Sequence, residues 1–225
     1  VVGLVGSEMC IRDRDEGLMS AFINDEDIHT QTASEVFEVA IDEVTPDMRR
    51  VAKVINFGVL YGMSSYGLEQ ATALSRQEAG KFIETYFDRF SGVKAFTEST
   101  IEEAKEKGYA QTILGRRRYI PGINSSNYQA RSEAQRMAIN MPVQGTASDI
   151  IKVAMIRIQR RIDELGLKSK MILQVHDELV FEVPRSELME LRGIVYDIMP
   201  GAITLSVPVK VDIKIGENWG EMEKS

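Results

Sequence analysis

Arg49-Arg50-Val51-Ala52-Lys53-Val54-Ile55-Asn56-Phe57-Gly58-Val59-Leu60-Tyr61-Gly62 reads as one helix with an unusual face. Thr45-Pro46-Asp47 opens it with an N-cap Thr, Pro at the first helical position and an acid in the first turn. Gly62 is placed to end it. Arg49, Lys53, Phe57 and Tyr61 recur every four residues, and each such step drifts only about 40° around a helix. Two cations, a phenyl ring and a phenol therefore share one broad face. An anion attached to a flat, stackable group would suit both ends of it, with phosphates on the cations and a base on the rings. The competing account is an amphipathic helix whose charged heads snorkel to water.

The pattern RRxxKxxNFGxxYG in this stretch resembles motif B of the family A DNA polymerases. In that family the helix belongs to the fingers and closes over the incoming deoxynucleotide. The resemblance extends from about Asp15 to the C-terminus and includes the ending Gly216-Glu217-Asn218-Trp219. It implies that Arg49 and Lys53 hold the triphosphate, with Lys53 assisting the leaving group. Phe57 is implied to pack on sugar and base, and Tyr61 to stack at the template side. His29, in Asp27-Ile28-His29-Thr30, is implied to border the triphosphate. Without the resemblance, a lone His reads as a satisfied structural residue.

The second informative stretch is His176-Asp177-Glu178, between the apolar runs Lys170–Val175 and Leu179–Val183, which read as two strands of a hairpin. Adjacent acids at a tight turn repel one another, and a divalent cation relieves that repulsion. An ordinary hydrophilic turn is the plainer account, although an Asn-Gly turn would serve it more simply. The resemblance makes this motif C. It implies that Asp177 binds catalytic Mg2+, that Glu178 supports the metal, and that His176 lies near the primer terminus.

Between these motifs the chain reads as mostly helical. Ser75-Arg76-Gln77-Glu78 forms a capping box before a helix with Phe82, Tyr86 and Phe90 on its core side, and Gly92 breaks the pattern. Val93–Lys107 resumes it and Gly108 ends it. Tyr109–Pro121 reads as a hairpin carrying Arg116-Arg117-Arg118, which is either a solvated charge run or a grip on phosphates. Ser125–Leu165 reads as helix, with Pro142 and Gly145 expected to kink or interrupt it. Glu133, Arg136, Asn140 and Gln144 make a polar stripe there, and such amide and guanidinium groups suit minor-groove acceptors. By resemblance, Arg116, Arg136, Asn140 and Gln144 contact DNA. Val207–Ile215 alternates as a strand expected to lie beside the hairpin, and Trp219 is expected to anchor packing.

The chain has 225 residues and a formal net charge of −7. Residues 46–162 nevertheless hold 18 Lys+Arg against 11 Asp+Glu, a net of +7, and the remainder holds 9 against 23, a net of −14. A basic middle can present a local phosphate-binding surface. Scattered solvated charges would account for either count alone. The single cysteine, Cys10, excludes an internal disulfide framework and a cysteine-based zinc cluster. No apolar run reaches the roughly 20 residues of a membrane span. Residues 1–14 match neither a signal peptide nor the family's motif A strand, which reads like DYSQIELR and carries the other metal-binding carboxylate. They are expected to be foreign or mistranslated sequence joined at about Asp15, the alternative being a divergent N-terminus.

The expected fold is α/β, in the α+β sense. It comprises a partial palm with a small antiparallel sheet (about 15–30 and 121–225) and a mostly helical fingers part (about 31–120). The implied function is template-directed DNA synthesis by a cytoplasmic monomer acting on primer–template DNA and dNTPs with two Mg2+ ions, with this chain an inactive fragment. Two alternatives stand beside it: a non-catalytic nucleic-acid-binding fragment, and a single-subunit RNA polymerase relative. The RNA polymerase family usually has HDS at the acidic turn and no Phe at position 57.

Overall fold

The computed structural model describes residues 27–60, 62–206 and 208–224. Segment 1–14 and Tyr61 lie outside the described residues. The chain folds as two compact units, one ending at Gly145 and the other beginning at Thr146.

In the first unit, helix α1 (Ile28–Phe37) is opened by Asp27, whose carboxylate accepts from the backbone N–H groups of His29 and Thr30 at 3.0 and 3.4 Å. A short 3-10 turn (Ile41–Glu43) leads to α2 (Pro46–Leu60). Thr45 caps α2 as the sequence predicts, its hydroxyl accepting from Met48 N–H at 3.2 Å. α1 packs on α2, and Ala33, Val36, Ala52 and Ile55 are buried. Next come α3 (Ser65–Ala71), α4 (Arg76–Arg89) and α5 (Ser91–Lys107). The capping box forms: Glu78 N–H donates to Ser75 Oγ at 3.3 Å, and Ser75 N–H to Glu78 Oε2 at 2.8 Å. Tyr86 and Phe90 are buried as expected, while Phe82 is half-buried with its ring edge-on to Phe37 at 4.8 Å.

The break expected at Gly92 falls instead at Phe90, which separates α4 from α5 and leaves Gly92 inside the first turn of α5. Burial of the Phe90 ring fixes the joint, so no glycine is needed there. Gly108, at φ +73, ends α5. β1 (Tyr109–Gln111) and β2 (Arg117–Tyr119) then pair antiparallel with Tyr109 opposite Tyr119.

Helix α6 (Tyr128–Leu165) is 38 residues long and contains Pro142. The predicted interruption is absent. Ala134, Ala138 and Met141 pack in one cluster with Ala104, Ala110, Ile120 and Ile123. Past Gly145, in the second unit, Ile150, Ile151, Ala154, Ile158 and Ile162 pack with Leu191, Ile194 and Val195 of α7 (Leu188–Ile198). Burial on both sides of the proline holds the helix through the one hydrogen bond that Pro142 cannot donate.

β3 (Lys170–Val175) and β4 (Glu178–Glu182) form the predicted hairpin. Its base is anchored by Glu187, which accepts from the N–H groups of Lys168 and Ser169 at 3.0 and 2.9 Å. Val207 lies outside the described residues; of the strand expected over 207–215 the described residues form β5 (Lys214–Ile215), which pairs with β6 (Glu223–Lys224) and not with the hairpin. Val209 is buried, and Val211 and Ile213 pack against the same core. Their alternation places these side chains in that core. Trp219 is 51% exposed, contrary to its expected role as a packing anchor. The architecture is mixed: long helices with three separate two-stranded antiparallel sheets among the described residues.

Candidate functional site

The first candidate face lies where the N-terminus of α1 meets α2. Arg49 Nε donates to Asp27 Oδ2 at 2.6 Å. The His29 ring lies 5.8 Å from the Phe57 ring, tilted by 46°. His29 therefore sits among Arg49, Phe57 and the electrostatic reach of Lys53. Burial is the largest influence on its ring, and with the positive charges of Arg49 and Lys53 it outweighs Asp27 and pushes the pKa below 6.5. The pKa of Asp27 reflects opposing influences too. Partial burial would raise it, but the hydrogen bonds from Arg49, from the Thr30 hydroxyl and from two backbone N–H groups prevail and hold it at about 2. Arg49 and Lys53 are exposed and Phe57 is half-buried, so two cations, a neutral imidazole and an aromatic face are presented together. Such a surface can take a polyanion bearing a flat group.

Of the residues predicted for this face, His29, Arg49, Lys53 and Phe57 come together. The sequence reading missed three that support them: Asp27, which holds Arg49; and Asn56 with Thr32, which stand beneath His29. The available signal was Asn56 itself, a polar residue between Ile55 and Phe57 on an otherwise apolar strip of α2.

The second candidate face is the β3–β4 turn in the other unit. Val175 pairs with Glu178, which leaves His176 and Asp177 as the two turn residues. His176 has φ +53, a left-handed conformation that two-residue hairpin turns favour at their first position and that His adopts more readily than most non-glycine residues. The Gln174 side chain donates to the His176 carbonyl at 2.7 Å and braces the turn. Asp177 and Glu178 are half-buried and line a cavity of about 730 Å3 with Leu191, Val195, Val211 and Trp219. The cavity also holds Arg185, Arg192, Lys214, Asp212 and Glu217, and the two carboxylates at the turn provide the hard oxygen donors that Mg2+ or a similar ion takes. They fit one side of such a site. Among the described residues no three His, Cys, Asp or Glu side chains are placed to hold a metal.

The predicted DNA-contacting residues lie in the first unit. Arg116 is exposed in the β1–β2 turn; Arg117 lies over the Tyr109 ring at 4.6 Å and Arg118 donates to Met137 Sδ at 3.5 Å. Along α6, Arg136 and Gln144 are exposed. Asn140 is half-buried, and its Oδ1 meets no hydrogen-bond donor among the described residues. Gly62, at φ +67, passes against Arg136; a Cβ there would lie 2.9 Å from Arg136 Cγ. Among the described residues no helix is long and apolar enough to cross a membrane.

Comparison with known proteins gives one answer. A family model described as DNA polymerase family A matches residues 9–221. The chain is 53% identical over 205 residues to DNA polymerase I of Bacillus caldotenax, covering 91% of this chain and 23% of that protein. It is 52% identical over 206 residues to DNA polymerase I of Bacillus subtilis, covering 92% and 23%. The chain thus spans under a quarter of the length of these relatives. A solved structure of the POL domain of Pol1 from M. smegmatis, in complex with DNA primer-template and dNTP, matches with a TM-score of 0.87 at 47% identity, covering 92% of this chain and 37% of that one.

Proposed function

We propose that this chain, which belongs to DNA polymerase family A, carries nucleotide-, metal- and DNA-facing parts of an enzyme for template-directed DNA synthesis. The observation that carries the reading is the meeting of Arg49, His29 and Phe57 at one helix junction, with Lys53 within electrostatic reach. In the reaction a primer 3′-hydroxyl attacks the α-phosphate of a dNTP and pyrophosphate leaves.

Arg49, Lys53 and His29 hold the triphosphate. Lys53, with three ammonium donors, offsets charge developing on the departing pyrophosphate. Phe57 packs on sugar and base, and Tyr61 stacks at the template side. Asp177 and Glu178 hold the divalent metal that this family uses, which we assign as Mg2+. Bound there, it would lower the pKa of the attacking hydroxyl and neutralise phosphate charge. His176 lies by the primer terminus, and Arg116, Arg136, Asn140 and Gln144 contact the DNA. In this reading residues of about 31–120 are fingers, those of about 15–30 and 121–225 are palm, and the enzyme is a cytoplasmic monomer.

Incorporation of a labelled nucleotide on a primed template, by a polymerase bearing this segment, tests the reading. Extension with dNTPs but not NTPs, lost in Asp177→Ala, is expected. Lys53→Ala should lower kcat/KM about 100-fold or more, at least about 2.7 kcal/mol. A preference for NTPs, or a Lys53→Ala value within about threefold of the parent, would overturn the respective assignment.

A further inference from the structure

Beneath His29 lies a small buried polar network. Thr32 is fully buried and Asn56 is 9% exposed. Asn56 Nδ2 lies 3.1 Å from His29 Nδ1 and donates to Thr32 Oγ1 at 3.0 Å. Thr32 Oγ1 also lies 3.1 Å from Asn56 Oδ1, to which it can donate. One amide therefore joins α2 to α1 at two points, the next residue along α2 being Phe57.

A neutral imidazole has one N–H donor and one acceptor nitrogen, and whatever bonds to one nitrogen decides the state of the other. An amide N–H pointing at Nδ1 makes Nδ1 the acceptor and leaves the proton on Nε2. The opposite amide orientation would draw the proton to Nδ1 and leave a lone pair on Nε2. A lone pair repels an anion, whereas an N–H binds it. The charged groups around the ring are Asp27 at the cap of α1 and Arg49 and Lys53 on α2, and the two cations together with burial favour the neutral ring.

We propose that Asn56 is a positioning residue that fixes His29 as the Nε2–H tautomer, so that a neutral donor stands beside the cations Arg49 and Lys53. The recipient of that hydrogen bond is a phosphate oxygen of the nucleotide, a clause that rests on the function proposed above. Arg49 and Lys53 supply the charge, and His29 supplies direction without adding to the repulsion between them.

The chain has only two histidines, His29 and His176. Long-range 1H–15N spectra of the full 225-residue protein can therefore read each ring, with a His176→Gln variant for assignment. In the parent at pH 7.5, His29 is expected to show an unprotonated Nδ1 and a protonated Nε2. Asn56→Asp, nearly isosteric, should move the proton to Nδ1 and raise the ring pKa by about one unit or more. Titration with dATP then tests the donor role. Asn56→Leu should weaken binding about tenfold in the parent, but by less than about twofold in a His29→Ala background. A structural effect of Asn56 would instead persist without the histidine. A His29 that carries its proton on Nδ1, or a ring unmoved by Asn56→Asp, overturns the Asn56 assignment whatever the nucleotide does. A chain whose His29 has the Nε2 proton but whose dATP affinity ignores His29→Ala overturns the phosphate reading and leaves the tautomer assignment standing.

Discussion

Asp27 has two roles at the residue scale. It caps α1 through two backbone N–H groups and it pairs with Arg49, the cation assigned to the nucleotide. Both partners are about two-fifths exposed, so after solvent screening the ion pair contributes about 1 kcal/mol or less. The carboxyl, whose ordinary value is 3.8, is held at about 2 in the folded chain. Because the folded value lies below the unfolded one, the stabilisation is complete above about pH 4 and is lost as pH falls towards 2. Asn caps as well as Asp, so Asp27→Asn removes the charge and keeps the cap. The variant should be slightly less stable than the parent at pH 6, and the gap should close between about pH 4 and pH 2 in urea unfolding. A gap that stays constant over that range would show that the pairing with Arg49 contributes nothing. The spacing of Arg49, Lys53 and Phe57 was legible in the sequence because a helical period repeats locally. The Asp27–Arg49 pair and the Asn56–His29 bond were not, since each joins residues more than 20 positions apart and depends on how α1 is laid on α2.

Elements depart from local signals where packing outweighs them. Pro142 and Gly145 suggested a kink or an interruption, yet α6 continues as one helix. Gly145 has a different reason to be there: a Cβ at that position would lie 2.5 Å from Thr112 Cγ2, a stiff β-branched side chain that is 1% exposed. Two effects oppose one another in Gly145→Ala. Alanine gains about 1 kcal/mol of helix propensity, and the clash costs about 1–3 kcal/mol. The net expectation is a loss of up to about 2 kcal/mol in chemical denaturation. Thr112→Ser removes the offending methyl and retains the hydroxyl that accepts from Arg116 N–H at 3.2 Å. In that background Gly145→Ala should become neutral or stabilising. Equal costs in both backgrounds would mean that the glycine is not there for close approach to Thr112. The 207–215 segment departs in the opposite direction: it has a strand's alternation, yet among the described residues only Lys214–Ile215 is strand, and it pairs with β6 rather than with the hairpin. Period-2 patterning reports which side chains are buried, and it cannot report whether another strand lies within hydrogen-bonding distance. The hairpin around Asp177 was legible because both of its strands and its turn are contiguous in sequence.

At the scale of the whole molecule, a net charge of −7 repels DNA at long range. Binding must then come from a few close contacts, and the two types of contact assigned here behave differently in salt. A guanidinium that neutralises a phosphate releases counterions, so each such contact adds about 0.9 to the steepness of log K against log [salt] on duplex DNA. An amide reading a base edge or a sugar releases none. Arg116, exposed in the β1–β2 turn, is assigned to the first type, and Asn140, half-buried on α6, to the second. Fluorescence anisotropy of a primer–template titrated with the chain between 50 and 200 mM salt separates them. Arg116→Ala should flatten the plot by about 0.9, with a loss of affinity that is largest at low salt and independent of DNA sequence. Asn140→Ala should shift the line downwards by about tenfold or less without changing its slope. If Arg116→Ala left the slope unchanged, the arginine would be a solvated charge. If Asn140→Ala flattened the plot as much as Arg116→Ala, the loss would reflect a general loosening of the first unit, and neither residue could be assigned a contact.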